Sequence, residues 1–312
     1  VIMKIYISPM SGFTDYSYRK ILEKFNPNLL FAEMVNSHLI KIGDTKTINL
    51  LKSDNFDNIG IQVFGSNTED IIYSFLKLED MGFKNINLNM GCPQPKIIKN
   101  GSGAALLPDI DFIKNLICEL KEKVNFNTKI SIKIRLGYKK FNSPEIYVKM
   151  ADDFNLDFIC VHGRTQEQFY GGFSDWDKIS NLSKINRNIN FIGNGDLFSA
   201  EDIKNKIKFS NLDGIMLARG IIGNPWLITQ TKEILNYGVV KTNPNFYDIK
   251  STLIEHFNLL IENKGKITAS LEINKFIKPY FKNLNDYDLE NKLSEIIIEK
   301  DANKKMKELF HI

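Results

Sequence analysis

One cysteine closes the run "NINLNMGCPQPK" at residues 85–96, where Ile86, Leu88 and Met90 alternate with Asn87 and Asn89 before Gly91 breaks the strand pattern. A thiol ordinarily titrates near ~8.5, so at neutral pH Cys92 is mostly protonated and can deliver a proton to a carbanion or enolate equivalent. Asn89 is placed to hold the polar edge of a substrate. A nucleophilic thiol is the competing reading, but no fixed base or carboxylate orienter is apparent beside it. The other cysteines read as small core residues: Cys118 among Ile117 and Leu120 in a helical pattern, Cys160 inside "FICV". Three cysteines without a CxxC pair suggest neither a disulfide framework nor a metal site.

The chain carries five arginines (19, 135, 164, 187 and 219) against 36 lysines. Where lysine serves every generic positive charge, arginine marks positions needing a planar, bidentate group. "GNGD" (193–196) and "ARG" (218–220) supply Gly195 and Gly220, which let backbone N–H groups approach an anion, with Arg219 as the bidentate partner. The plainer alternative is that these glycines only make turns. Gln62 offers an amide that can read a ring's C=O and N–H, and Lys133 a positive charge suited to the N1/C2=O region of a reduced flavin, with His162 assisting. Lys133 alone could be an ordinary inward-facing residue; together they describe a cradle for flavin mononucleotide. "GSGAALL" (101–107) lacks the third glycine of a dinucleotide loop and follows "PKIIKN" rather than a strand.

These residues need a frame that brings them together. β-rich runs at 4–10, 29–35, 58–65, 85–91, 129–137, 157–165, 190–196 and 214–220 alternate with helical patterns such as Thr68–Met81, Ile110–Val124 and Ser199–Ile207. Eight β-then-α units predict a closed (β/α)8 TIM barrel, an α/β fold whose active site sits at the carboxyl ends of the strands. The unusual chemistry clusters there. After Pro225 the character changes, and helical periodicity takes over from about 246. Residues 1–240 are therefore expected to form the FMN-binding catalytic barrel, and 241–312 a small C-terminal helical domain. In the latter, Ile273, Phe276, Ile277, Tyr280, Phe281 and Leu284 follow a buried stripe, with Lys275, Lys278 and Lys282 on a neighbouring face; a solvated surface is the bland reading of those lysines.

A net charge of +4 and a hydrophobic content of 43% fit an ordinary globular chain and hint weakly at an anionic partner. No apolar run reaches the ~18 residues of a membrane span and no signal peptide precedes the first strand, so a cytoplasmic location is expected, with Met3 the natural start.

The sequence resembles the flavin-dependent tRNA-dihydrouridine synthases. The likeness rests on "SPMSGFTD" (8–15), "IQVFGS" (61–66), "NLNMGCPQPKIIKNGSGAALL" (87–107), "SIKIRLG" (131–137), "VHGRT" (161–165), "GNGD" (193–196) and "ARGIIGNPW" (218–226). The resemblance implies reduction of specific uridines in tRNA to 5,6-dihydrouridine, with FMN re-reduced by NADPH or NADH. It implies that Cys92 protonates C5 of uracil after hydride reaches C6, and that Pro9, Met10, Ser11, Gln62, Lys133 and His162 contact the flavin. By the same likeness Asn194, Gly195, Asp196, Ala218 and Arg219 hold its phosphate end, and Asn89, Arg135 and Arg164 meet the target nucleotide or nearby phosphates. The helical segment corresponds to a tRNA-recruiting domain, tRNA is the partner, and neither a metal nor a protein partner is expected. A uridine in folded RNA must leave its stack to reach such a site, so the loop aromatics Phe169, Tyr170 and Trp176 are candidates for stacking, lid or packing roles.

Overall fold

The computed structural model describes residues 3–139, 143–284 and 287–312, which leaves Val1 and Ile2, ahead of the expected start at Met3, outside it. Its strands are β1 (Lys4–Ile7), β2 (Leu29–Phe31), β3 (Val35–Asn36), β4 (Ile59–Phe64), β5 (Asn85–Met90), β6 (Lys129–Arg135), β7 (Phe158–His162), β8 (Asn190–Asn194) and β9 (Gly214–Leu217). All pairings are parallel. β1 lies between β2 and β9, β2 also pairs β4, and β4 to β9 follow in order, so eight strands close into a barrel. The run expected as one strand at 29–35 is divided: Ala32–Met34 leave the ladder and β3 rejoins it against Val63 and Phe64 of β4.

Strand alternation decides what faces inward. Ile86, Leu88 and Met90 of β5 and Ile130, Ile132 and Ile134 of β6 pack outward into the helix-covered core. Each fully buried side chain of this size contributes ~1.5–3 kcal/mol of burial. The opposite set points into the barrel. One half of that interior is apolar, built from Tyr6, Leu29, Phe31, Phe158, Cys160, Ile192 and Met216. Phe31 fills it so closely that a Cβ on Gly60 would lie 2.5 Å from its ring. The other half holds Gln62, Asn87, Asn89 and Ser131, all buried.

Beyond the barrel, the helix Leu227–Tyr237 ends at Gly238 in a left-handed cap, and a capping box of Asn245 and Asp248 starts the helix Phe246–Lys264. Helices Lys266–Glu272, Asn274–Phe281, Tyr287–Ile298 and Ala302–His311 follow. Ile273, Phe276, Ile277, Tyr280 and Phe281 are buried and Leu284 half-buried, as their spacing predicts. The core of this segment is continuous with that outside the barrel. His256 stacks on Tyr18 of the helix Tyr16–Glu23 at 4.9 Å between ring centres, and Lys264 bridges Asp15 (2.6 Å) and Glu272 (2.7 Å). Among the described residues no helix is long and apolar enough to cross a membrane.

Candidate active site

A cavity of about 340 Å³ opens at the carboxyl ends of the strands. Pro9, Met10 and Ser11 after β1, Gln62 of β4, Asn89 and Cys92 at the end of β5, and Lys133 and Arg135 of β6 all line it. His162 of β7, Asn194, Gly195 and Asp196 of β8, and Ala218 and Arg219 after β9 complete the wall. Of the residues expected at the site, only Arg164 does not line this cavity.

Asn194 organises the cationic side. Its Nδ2 donates to the Met216 carbonyl (2.7 Å), which turns Oδ1 toward Lys133 Nζ (3.0 Å) and His162 Nδ1 (2.8 Å). Accepting that contact fixes the proton of His162 on Nδ1. Burial, with Lys133 and Arg135 nearby, holds His162 well below its ordinary range, so the imidazole is neutral. Burial also lowers Lys133. An anionic partner in the cavity would offset that desolvation and favour the ammonium.

The neighbouring strand end, after β5, carries the thiol. Asn89 Oδ1 accepts the backbone N–H groups of Gly91 (3.1 Å) and Cys92 (2.9 Å), an Asx turn that closes the strand end. Arg135 Nε donates to the Gly91 carbonyl (2.9 Å), and Ala104 N–H to the Cys92 carbonyl (3.1 Å). The latter comes from "GSGAALL", a short 3-10 helix (Gly103–Leu106) packed beneath the thiol. Gly103 has φ +64°, and a Cβ there would sit 2.7 Å from the Cys92 carbonyl. Burial pushes the Cys92 thiol up despite the Gln94 backbone N–H, Arg135 and Lys133 beside it, so it remains protonated at neutral pH.

At the β8 and β9 ends, one carboxylate serves two arginines. Asp196 accepts from Arg164 (2.9 and 2.6 Å) and from Arg219 (2.8 Å). Burial pushes Asp196 up, but Arg164, the Ser174 N–H and Arg219 outweigh it and leave the carboxyl below its usual range. Arg164 is 2% exposed and further donates to Gly171, Gly172 and Ser174, whereas Arg219 keeps 44% exposure facing the cavity. Arg164 is thus the buried brace of the loop 165–174. Arg135 ties the same loop down through the carbonyls of Thr165 (2.8 Å) and Phe169 (2.7 Å). The loop presents Tyr170 to the cavity, its ring flanked by Arg135 (5.6 Å) and Arg219 (5.4 Å). Gly195 and Gly220 answer packing demands first. A Cβ would lie 2.1 Å from Ser174 Oγ at Gly195 and 2.1 Å from the Leu197 carbonyl at Gly220.

One expectation is corrected and one open choice, between stacking and packing at Trp176, is decided for packing. Cys118 is exposed, because the helix Ile110–Lys123 buries Ile113, Leu116, Ile117 and Leu120, and residue 118 lies about 100° from Ile117 on the helix surface. Trp176 is buried, its indole N–H donating to the Gly195 carbonyl (2.9 Å), which removes it from the candidates for stacking. Among the described residues no group of three or more His, Cys, Asp or Glu side chains is arranged to hold a metal ion.

The family model for dihydrouridine synthase matches residues 6–311. A probable tRNA-dihydrouridine synthase of Rickettsia bellii is 31% identical over 268 residues, covering 84% of this chain and 80% of its own. The tRNA-dihydrouridine synthase B of Pasteurella multocida is 27% identical over 264 residues, with coverage of 84% and 79%. Among solved structures, histamine dehydrogenase from Rhizobium sp. 4-9 superposes with a TM-score of 0.51 at 14% identity, covering 82% of this chain and 49% of that one. A 2-naphthoyl-CoA reductase gives 0.56 at 9% identity, with coverage of 74% and 50%. These structures share the barrel fold alone. The family match spans nearly the whole chain, and the protein belongs to the dihydrouridine synthase family of flavin oxidoreductases.

Proposed function

We propose that this enzyme reduces uridines of tRNA to 5,6-dihydrouridine, using FMN re-reduced by NADPH or NADH. One observation carries the reading: a thiol kept protonated by burial shares one cavity with a lysine, a neutral histidine and two orienting amides. The donor set fits a flavin. Lys133, Gln62 and His162 would meet the ring system, Pro9, Met10 and Ser11 would border it, and Asn194, Gly195, Asp196, Ala218 and Arg219 would hold the phosphate end. Lys133 supplies the positive charge that a reduced ring attracts, and Arg219 keeps donors free beyond its Asp196 contact.

Bound and reduced, FMN supplies the hydride that goes to C6 of uracil. Cys92 supplies the proton for C5: its S–H bond breaks, the C5–H bond forms, and the thiolate takes a proton back from solvent before the next turnover. Burial that opposes the thiolate keeps the acid loaded. Asn89 and Arg135 act on this step by holding the Gly91–Cys92 peptide, one taking its N–H and the other donating to its carbonyl, and their positions at the cavity wall also allow contact with the target nucleotide. Tyr170, 44% exposed and within cation–π reach of Arg135 and Arg219, offers an aromatic ring against which an extruded base can pack.

The helical segment after about residue 241 is the proposed tRNA grip. A second hollow, lined by Lys275, Lys278 and Lys282, shares Phe13, Arg219 and Ile222 with the main cavity, so a phosphate backbone held there runs directly to the mouth. The direct test of the reading is whether the purified protein releases FMN on denaturation and forms dihydrouridine in unmodified tRNA with NADPH. Colourless protein that FMN does not reconstitute would overturn it.

A further inference from the structure

The polar half of the barrel interior carries a chain of amides with a fixed direction. The backbone N–H groups of Gly91 and Cys92 can only donate, so the Asn89 atom facing them is Oδ1. Asn89 Nδ2 then faces Gln62 at 2.6 Å, and the atom it meets must accept, which assigns Gln62 Oε1. Gln62 Nε2 is thereby turned to Asn87 Oδ1 at 2.7 Å, and Asn87 Nδ2 donates to Ser131 Oγ at 2.8 Å. Gln62 and Asn89 line the cavity, whereas Asn87 (0% exposed) and Ser131 (2% exposed) lie beneath it and do not.

We propose that Asn87, seated on Ser131, is a positioning residue: as the acceptor of Gln62 Nε2 it holds Gln62 in the amide orientation that Asn89 requires and so keeps Asn89 partnered. Two functional features hang on that orientation, the amide edge Gln62 offers to the flavin and the turn that carries Cys92. The inference rests on the proposed function for its link to chemistry, and on the hydrogen-bond directions alone for its geometry. Without an acceptor at 87, Gln62 Nε2 is left unpaired in a buried site, a state that favours rotation of the amide and withdraws the partner of Asn89.

Asn87→Leu and Asn87→Asp separate this role from packing. Leucine matches the volume and removes the acceptor. Aspartate keeps an oxygen toward Gln62 and lets the Ser131 hydroxyl donate to the other oxygen. The background is full-length Cys118→Ala, which removes the exposed thiol while Cys160 stays buried. The readouts are alkylation of Cys92 by iodoacetamide in the protein as purified, FMN affinity, and single-turnover uridine reduction per bound flavin.

The relay predicts that Asn87→Leu speeds alkylation and slows uridine reduction by ~10–100-fold, the scale of a slight misplacement of reacting groups. Asn87→Asp should stay within a few-fold of the parent. If Asn87 only fills space, the order reverses, because leucine is tolerated and a buried charge is not, and that order overturns the proposal. Should Asn87→Leu fail to fold, Ser131→Ala and Ser131→Thr decide. Faster alkylation in the alanine variant, restored by threonine, supports the relay; equal behaviour of the two contradicts it. A parent that bound no flavin would defeat the proposed function, while the alkylation order would still decide the relay.

Discussion

The side-chain carbonyl of Asn89 accepts the backbone N–H of Cys92 at 2.9 Å, so the residue expected to meet substrate is the one that holds the thiol's turn. Asn89→Ala leaves the Gly91 and Cys92 N–H groups without that acceptor, at a cost of ~1–3 kcal/mol for each buried donor left unpaired. The expected outcome is a lowered melting temperature together with a ~10-fold or greater loss of uridine reduction per flavin. A variant that loses stability but keeps the full rate would confine Asn89 to the fold.

Acid catalysis by a half-buried thiol has a pH signature. Cys92 donates only while protonated, so the rate is full below its folded pKa and lost above it. Burial places that pKa above the ordinary thiol range. Single-turnover oxidation of pre-reduced enzyme by unmodified tRNA should be flat through neutrality and fall only in the alkaline range above the ordinary thiol pKa, and the residual rate of Cys92→Ala should lack that limb. A decline setting in near neutral pH would contradict the assignment.

The two arginines on Asp196 should separate stability from cofactor binding. Arg164→Ala strips the buried partner, a change that usually costs ~3–5 kcal/mol, here toward the lower end because Arg219 stays beside the carboxylate. Arg219→Ala should leave the melting temperature of flavin-free protein nearly unchanged. It should weaken FMN retention by ~1.5–3 kcal/mol, the usual worth of a hydrogen bond to a charged group. Thermal melts and FMN titrations of both variants check the contrast, which fails if the two behave alike.

Much of this was legible in the sequence because barrel strands have a simple rule. The expected strands begin within a residue of the observed ones, at Lys4, Leu29, Ile59, Asn85, Lys129, Phe158, Asn190 and Gly214, yet end too late in every case. The overrun residues, such as Gly163–Thr165 and Gly195–Asp196, keep strand-like composition but leave the ladder to build the mouth. The convergence of Cys92, Lys133, His162 and Arg219 followed from topology and chemistry. The identity of each arginine's partner did not, since Arg164 in "HGRT" and Arg219 in "LARG" both follow a barrel strand, and it is the loop 165–174 that covers one and not the other. Nor did the buttress role of "GSGAALL", whose signal is a glycine needed at φ +64° beneath a distant backbone. Cys118 was misread because a short apolar run around it hid a rotation of one residue on the helix.

Lysines beside the mouth should contribute to tRNA binding through counterion release. Charge reversal at Lys275, Lys278 and Lys282, all on the helical segment, should weaken tRNA binding and flatten its salt dependence by roughly one unit of log–log slope per lysine, with FMN retained. Point changes are preferable to truncation at 241, which would uncover Tyr18 and its neighbours. An unchanged salt slope would mean that tRNA is gripped elsewhere.

The central claim is that Cys92 is the acid, and dihydrouridine formed per bound flavin in unmodified tRNA tests it most directly. Cys92→Ala should keep FMN, still bind tRNA and still accept electrons from NADPH, because none of these needs the thiol. It should lose uridine reduction by roughly 10²–10⁴-fold, the usual worth of a positioned general acid, while Cys118→Ala turns over as the parent does. Cys92→Ala forming dihydrouridine at the parent rate would contradict the account.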